Sequence, residues 1–278
     1  MEELVSVEWL NNNLSLSNLV ILDASPQKTV QDKNPSFRDL YIPNSRLFKI
    51  KENFTNKESS FPNTIPSLLQ FREECRNLGI NNNSIIIVYD NLGIYTSPRV
   101  WWLFKTMGHK NIRVLNGGIP EWINKGFETV KIENLNQKYM LGNLDCNFNK
   151  KYLVKYDDII DNIDSNKFLL IDARSKGRFN GTEDEPRKYL KSGNIPNSVS
   201  IPYQSLLENG KFKSVDEIND IFIQKTNKQA ELVFSCGSGM TACIVLLASE
   251  IAFKKSKFLY DGSWTEYAEL KNLKKKVV

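Results

Sequence analysis

The stretch "ELVFSCGSGMTACIVLLASEIAF", Glu231 to Phe253, changes character in its middle. "LVFS" is a short apolar run of the kind buried in a parallel sheet, and "TACIVLLASEIAF" is long and apolar enough for a buried helix. Between them stands "CGSGM", a turn of glycines and small side chains. A strand passing through a glycine-rich turn into a helix is one step of an α/β fold, so a largely parallel sheet flanked by helices is expected. The same step sets one thiol, Cys236, where a strand stops and a helix starts. Backbone amides and the positive end of the helix dipole converge at such a place.

The rest of the chain repeats this plan. "IPNS" occurs at Ile42–Ser45 and again at Ile195–Ser198, "LVILDAS" ending at Ser25 resembles "FLLIDAR" ending at Arg174, "IIIVYD" pairs with "ELVFSC", and "LNGGIPEW" from Leu115 pairs with "YDGSWTEY" from Tyr260. Four matches in one order at nearly one offset argue for a duplicated domain. In the first copy strands are expected near Leu19–Leu22, Ile85–Tyr89 and Ile112–Leu115, with helices near Ile65–Leu78, Pro98–Met107 and Pro120–Asn124. In the second, strands are expected near Phe168–Ile171, Leu232–Ser235 and Phe258–Tyr260. Helices there fall near Tyr156–Asn162, Val215–Gln224, Thr241–Phe253 and Thr265–Leu270. The polar, Asn-rich stretch 126–151 lacks periodicity and reads as a linker. The expected division is 1–127, a linker over 128–151, and 152–278.

Composition narrows the function classes. Of the 278 residues, 41% are hydrophobic and 25% charged, which supports packed cores and excludes a disordered chain. The net charge of +5 is scattered, and the only dense basic run, "KNLKKK", reads as a solvated tail rather than a nucleic-acid arm. No apolar stretch is long enough to span a bilayer, and the acidic, amphipathic start lacks the pattern of a signal peptide, so a cytoplasmic protein without membrane or nucleic-acid partners is expected. The four cysteines, Cys75, Cys146, Cys236 and Cys243, have no metal-ligand spacing. No metal or cofactor is expected, and the thiols are expected reduced. Cys75 and Cys243 fall in helical patterns as small core residues, and Cys146 receives no role. The single histidine, His109, reads as a capping or surface residue.

An ordinary thiol is only about 3% ionised at neutral pH, so a nucleophilic cysteine needs its anion held. Gly237 and Gly239 let the backbone curl around Cys236, while Ser238 and Thr241 add hydroxyl donors without bulk. Met240 completes the turn. The plainer reading is a tight βα turn in which Cys236 is merely small and buried. The first copy places Asp90 at the corresponding position, so any thiol chemistry belongs to the second. The loop "DARSKGRFNGTEDEPRKYLKSGNIPNS" holds Arg174, Arg178 and Arg187; solvated arginines are one reading, and guanidinium groups for a planar carboxylate are the other.

Taken together, "ILDAS", "VYDNLGIYTSPRVWWLFKTMGH", "LNGGIPEW", "IDARSKGRFNGTEDEPRKYLKSGNIPNSVSIPY", "SCGSGMTA" and "LYDGSWTEY" resemble the rhodanese family, specifically its two-domain sulfurtransferases. The resemblance implies two tandem rhodanese-like domains, each a mostly parallel sheet flanked by helices, the first non-catalytic. It implies that Cys236 takes sulfur from a small-molecule donor as a persulfide and passes it to cyanide, a thiol or thioredoxin, with residues 237–241 cradling it. Within the family a C-G-S-G-x-T loop marks the mercaptopyruvate branch, and the two carboxylate-binding arginines correspond to Arg178 and Arg187. Thiosulfate is the rival donor; a persulfide carrier with little small-donor turnover, and a phosphatase that would lack its arginine, are further readings. The family's "H-I-P-G-A" segments here read Tyr41-Ile-Pro-Asn-Ser and Asn194-Ile-Pro-Asn-Ser. A Ser–His–Asp relay through Ser238, with Asp32 as its acid, would therefore lack its histidine.

Overall fold

The computed structural model describes residues 3–27, 37, 39–135, 138–226, 231–252 and 256–276. Asp32 lies outside them. By Cα packing the chain divides into two units, one made of Met1–Lys57, Ile65–Asn149 and Leu207–Phe212, the other of Glu58–Thr64, Lys150–Leu206 and Lys213–Val278.

The first unit runs β1 (Leu4–Val5), α1 (Val7–Asn12), β2 (Leu19–Asp23), β3 (Ser45–Leu47), α2 (Ile50–Asn53), α3 (Leu68–Asn77), β4 (Ile85–Tyr89), α4 (Ser97–Thr106), β5 (Ile112–Leu115) and α5 (Gly118–Asn124). The second runs β6 (Leu153–Val154), α6 (Tyr156–Ser165), β7 (Leu169–Asp172), α7 (Lys176–Asn180) and β8 (Ser198–Ser200). The hairpin β9 (Leu207–Glu208) and β10 (Lys211–Phe212), assigned to the first unit, interrupts it. The second unit then closes with α8 (Val215–Lys225), β11 (Glu231–Ser235), α9 (Ala242–Ala252), β12 (Ser256–Tyr260) and α10 (Ser263–Lys276).

The two sheets have the same topology, β1-β5-β4-β2-β3 and β6-β12-β11-β7-β8, and every pair in them is parallel. The duplication is thus structural as well as textual. Strands covered on both faces read as continuous apolar runs: Ile86 through Tyr89 in β4 and Leu232 through Phe234 in β11 are fully buried. α9 is buried from Ala242 to Ser249, which its all-round apolar sequence requires.

The repeated "IPNS" has a physical origin. Proline fixes its own φ near −65°, Asn44 and Asn197 each adopt φ 63°, and the serine amide donates to the isoleucine carbonyl at 3.2 Å in both copies. This is a turn with a left-handed third residue, a conformation asparagine tolerates, and it launches the edge strands β3 and β8.

Helix bounds differ from the sequence reading at identifiable caps. α3 starts at Leu68 rather than Ile65 because Ser67, after Pro66, caps it by accepting the Gln70 amide. Short edge strands and α1, α2 and α7 carry too little periodicity to be read in advance. Much of the polar stretch 138–149 folds onto the first unit: Gly142 donates to the Arg76 carbonyl, Leu144 to Ile80, Asn147 to Met107 and Asn149 to Thr106. Among the described residues, no helix is long and apolar enough to cross a membrane.

Candidate active site

β11 ends in register with β7, Ser235 opposite Asp172, and hands the chain to Cys236, which is 1% exposed. The loop that follows is fixed from the start of α10. The Ser263 hydroxyl accepts the Cys236 and Gly239 amides, each at 3.1 Å, and donates to the Tyr260 carbonyl at 2.9 Å. Trp264 N–H donates to the Cys236 carbonyl at 3.0 Å, and Thr265 donates to the Gly237 carbonyl through its amide at 3.1 Å and its hydroxyl at 2.6 Å. The first amides of α10 have no partner within their own helix, so the loop carbonyls satisfy them.

This bonding orients the loop. In a trans peptide the N–H points opposite to the C=O, so drawing the carbonyls of Cys236 and Gly237 toward α10 turns the amides of Gly237 and Ser238 away from it. Among the described residues, the amides of Gly237, Ser238, Met240 and Thr241 have no acceptor. Such a cluster of backbone donors suits an anion.

The first unit shows what such a loop holds. At the end of β4, Asp90 stands where β11 is followed by Cys236. Its carboxylate accepts the amides of Leu92 (3.0 Å), Tyr95 (2.8 Å), Thr96 (3.0 Å) and Ser97 (2.9 Å), and the Ser97 hydroxyl at 2.7 Å. The duplicated loop is therefore an anion cradle filled by its own side chain, and in the second unit a cysteine replaces the carboxylate. Ser263 likewise occupies the left-handed position of Gly118, at φ 55° against 53°. Serine bears the strain there, and its hydroxyl anchors the loop.

The three arginines divide by environment. Arg174 is buried, binds Asp172 and Glu185 (2.6 Å each in ion-pair distance), and lies over the Trp264 ring at 4.5 Å. Its role is to hold the fold. Arg178 donates to Glu185 through Nε at 3.2 Å and Nη2 at 2.6 Å, while a Cβ placed on Gly237 would lie 2.9 Å from the same Nη2 and 4.0 Å from Arg187 Nη1. The structure thus brings both Arg178 and Arg187 beside the loop. Glycine at 237 makes the room. Arg187 has no hydrogen-bond or ion-pair partner among the described residues, so it is the uncommitted cation.

Ser238 is 8% exposed and receives the Asn63 side-chain amide at 2.8 Å on its hydroxyl and 3.4 Å on its carbonyl. Met240 and Thr241 complete the turn and are partly exposed. Cys243, in the first turn of α9, is buried and donates its S–H to the Gly239 carbonyl at 3.3 Å. Burial pushes the Cys75 thiol well up from its ordinary value, with Cys146 and Glu74 adding to the shift. Desolvation, then Asp145, raises Cys146 to about 11 against the opposing Arg72 and Arg76. Both are poor nucleophiles. His109 is buried rather than at the surface: its Nε2 lies 3.1 Å from the Ser84 carbonyl, its ring packs on Phe104, and burial lowers its pKa.

Sequence reasoning missed Ser263, Thr265, Glu185 and Asn63. Glycine at the repeat-equivalent Gly118 was the available sign for Ser263. Asn63 lies far away along the chain, and no local pattern marks it.

A rhodanese-like domain model matches residues 6–125 and 155–270, and the chain belongs to the rhodanese family as a two-domain sulfurtransferase. Over 274 residues it is 33% identical to 3-mercaptopyruvate sulfurtransferase of Mus musculus, covering 95% of this chain and 91% of that protein. Over 276 residues it is 34% identical to thiosulfate sulfurtransferase of Gallus gallus, covering 95% and 92%. The crystal structure of SseA from Escherichia coli, of the 3-mercaptopyruvate enzymes, aligns with TM-score 0.83 at 29% identity over 95% of this chain and 99% of that one.

Proposed function

We propose that the protein moves sulfane sulfur from 3-mercaptopyruvate, through a persulfide on Cys236, to a thiophilic acceptor such as cyanide, a small thiol or thioredoxin. The observation that carries this reading is the run of loop amides after Cys236 that have no acceptor among the described residues, at the position where the first unit's loop encloses the Asp90 carboxylate. In the first step the Cys236 thiolate attacks the donor sulfur. An S–S bond forms, the donor's C–S bond breaks, and its electron pair passes into the neighbouring carbonyl to give pyruvate enolate, which takes a proton to become pyruvate. In the second step the acceptor attacks the outer sulfur and the Cys236 thiolate leaves. The amides of Gly237, Ser238, Met240 and Thr241 suit the anionic outer sulfur. Arg187, with Arg178 beside it, suits the donor carboxylate.

Gly237 and Ser238 add no cation beside the cysteine, which favours the carboxylate donor over dianionic thiosulfate. Thiosulfate remains the second reading, because relatives named for each donor match at similar identity. A cytoplasmic setting belongs to the same proposal; four free cysteines suit a reducing compartment. Steady-state kinetics with both donors on one preparation, without any partner protein, test it. Preference for 3-mercaptopyruvate in kcat/KM is expected. Preference for thiosulfate would assign the other donor, and no turnover with either would leave a carrier.

A further inference from the structure

The first unit holds a groove that the sulfur chemistry does not use. Its volume is about 770 Å³, and it lies over the carboxyl ends of β1 and β5, where Val5 pairs with Leu115 and the chain passes on to Ser6 and Asn116. Ligands of open α/β sheets gather at that end of the strands, and the volume falls in the range of small-molecule sites. Trp9 of α1 lines it, and most of the charges there are committed: Lys125 pairs with Glu8 at 2.8 Å and Lys211 with Glu121 at 3.2 Å. Arg113 is the exception. Its guanidinium has no hydrogen-bond or ion-pair partner among the described residues, and it lies 6.0 Å from the centroid of the Trp9 ring, the outer limit of a cation–π contact. The Trp9 indole N–H and the Asn116 side-chain NH₂ also have no acceptor among the described residues, whereas Asn116 Oδ1 is taken by the Phe212 amide at 3.0 Å. The groove therefore offers one free cation and spare donors, and its carboxylates are occupied.

The duplication shows that the scaffold does not require this set. Leu153–Val154 pair with Leu259–Tyr260 as Leu4–Val5 pair with Val114–Leu115. Asp158 consequently stands where the first unit has Trp9, Phe258 where it has Arg113, and Leu270 where it has Lys125. The second unit builds the same sheet without the aromatic wall or the cations. A free guanidinium beside an aromatic ring defines a ligand chemistry. A planar carboxylate matches the guanidinium fork and brings acceptors only, and a flat ring attached to it has Trp9 to pack against.

We propose that this groove binds a small aromatic carboxylate, with the carboxylate paired to Arg113 and the ring against Trp9. Such binding does not depend on the donor that Cys236 uses.

Titration of the whole chain with benzoate, followed at the tryptophan indole N–H signals in proton–nitrogen correlation NMR spectra, reads the groove directly. Trp9→Phe assigns the Trp9 signal among the five tryptophans. That signal should move saturably with benzoate. Benzamide, which keeps the ring and lacks the charge, should bind at least about tenfold more weakly, and benzoate should bind Arg113→Gln more weakly by the same factor, from loss of a charge-assisted hydrogen bond. Cyclohexanecarboxylate, which keeps the charge and lacks the aromatic ring, should bind about 2- to 13-fold more weakly than benzoate. Arg187→Ala should leave the Trp9 titration unchanged, which separates this groove from the arginines beside Cys236. A Trp9 signal that benzoate does not move, or equal affinity for benzoate and benzamide, would overturn the proposal; the benzamide comparison needs no substitution and so holds even if Arg113→Gln does not fold. Cyclohexanecarboxylate binding as tightly as benzoate, or inorganic phosphate displacing benzoate at lower concentration, would overturn the aromatic carboxylate as the ligand class.

Discussion

Replacing Asp23 with asparagine should remove a pH dependence from the stability of the first unit. Asp23 ends β2, is 7% exposed, and accepts the Ser25 amide at 2.9 Å together with the Ser25 hydroxyl. Its counterpart Asp172 is neutralised by Arg174, but Ser25 stands where that arginine would be, and no ion pair reaches Asp23 among the described residues. Burial, with Asp90 adding to it and Ser25 opposing, therefore raises its carboxyl from 3.8 to about 6. A carboxyl whose pKa is higher in the folded chain binds its proton more tightly there. Its contribution is complete below about pH 4 and is lost as pH rises through about 6. At about 1.36 kcal/mol per pKa unit, the loss is about 3 kcal/mol. Urea unfolding at pH 4 and 7.5, followed by tryptophan fluorescence, reads it, since Trp9, Trp101, Trp102 and Trp122 lie in the first unit and only Trp264 in the second. Parent and Asp23→Asn should differ in this fall by about 2.5 kcal/mol between pH 4 and 7.5, because the unfolded carboxyl is already partly ionised at pH 4. Parallel pH profiles would refute the reasoning, because Asp23 would then titrate as an ordinary carboxylate.

Ser263→Gly keeps the left-handed backbone and leaves the Cys236 and Gly239 amides without an acceptor, at about 1–3 kcal/mol each. Turnover should fall at least about tenfold; thermal unfolding should find Ser263→Ala less stable still by about 1 kcal/mol, because alanine keeps the strain and loses the bonds. Arg187→Ala should cost about 10- to 150-fold in kcat/KM with mercaptopyruvate while iodoacetamide still alkylates Cys236 normally. Arg178→Ala should cost at least as much, since it also leaves Glu185 Oε2 without its 2.6 Å ion-pair partner. Unchanged turnover in both would make the two arginines solvated charges.

The sheet was legible because strands buried on both faces must be apolar throughout, as "IIIVY" and "ELVFS" are, and because duplication printed each element twice. Cys236 was legible for a related reason: few structures other than a βα turn place glycines between two such runs. What held that turn was not legible. Ser263 occupies a backbone conformation that its sequence neighbours give no sign of, and only the glycine at 118 hints at it. The pairing of Arg178 with Glu185 arises because burying Glu185 beside Arg174 leaves one carboxylate oxygen to fill, a fact of packing that a charged loop does not display. Asn63 reaches Ser238 from another segment entirely, and such a contact is set by topology rather than by pattern.

The account stands on sulfur residing at Cys236. After treatment with 3-mercaptopyruvate and no acceptor, peptide mass spectrometry should find the mass of one added sulfur on the peptide holding Cys236, and none on peptides holding Cys75 or Cys146. Cys236→Ser should abolish both the added mass and pyruvate release, while Cys243→Ser retains most of each. Sulfur carried on Cys75 or Cys146, or pyruvate release surviving in Cys236→Ser, would contradict the account.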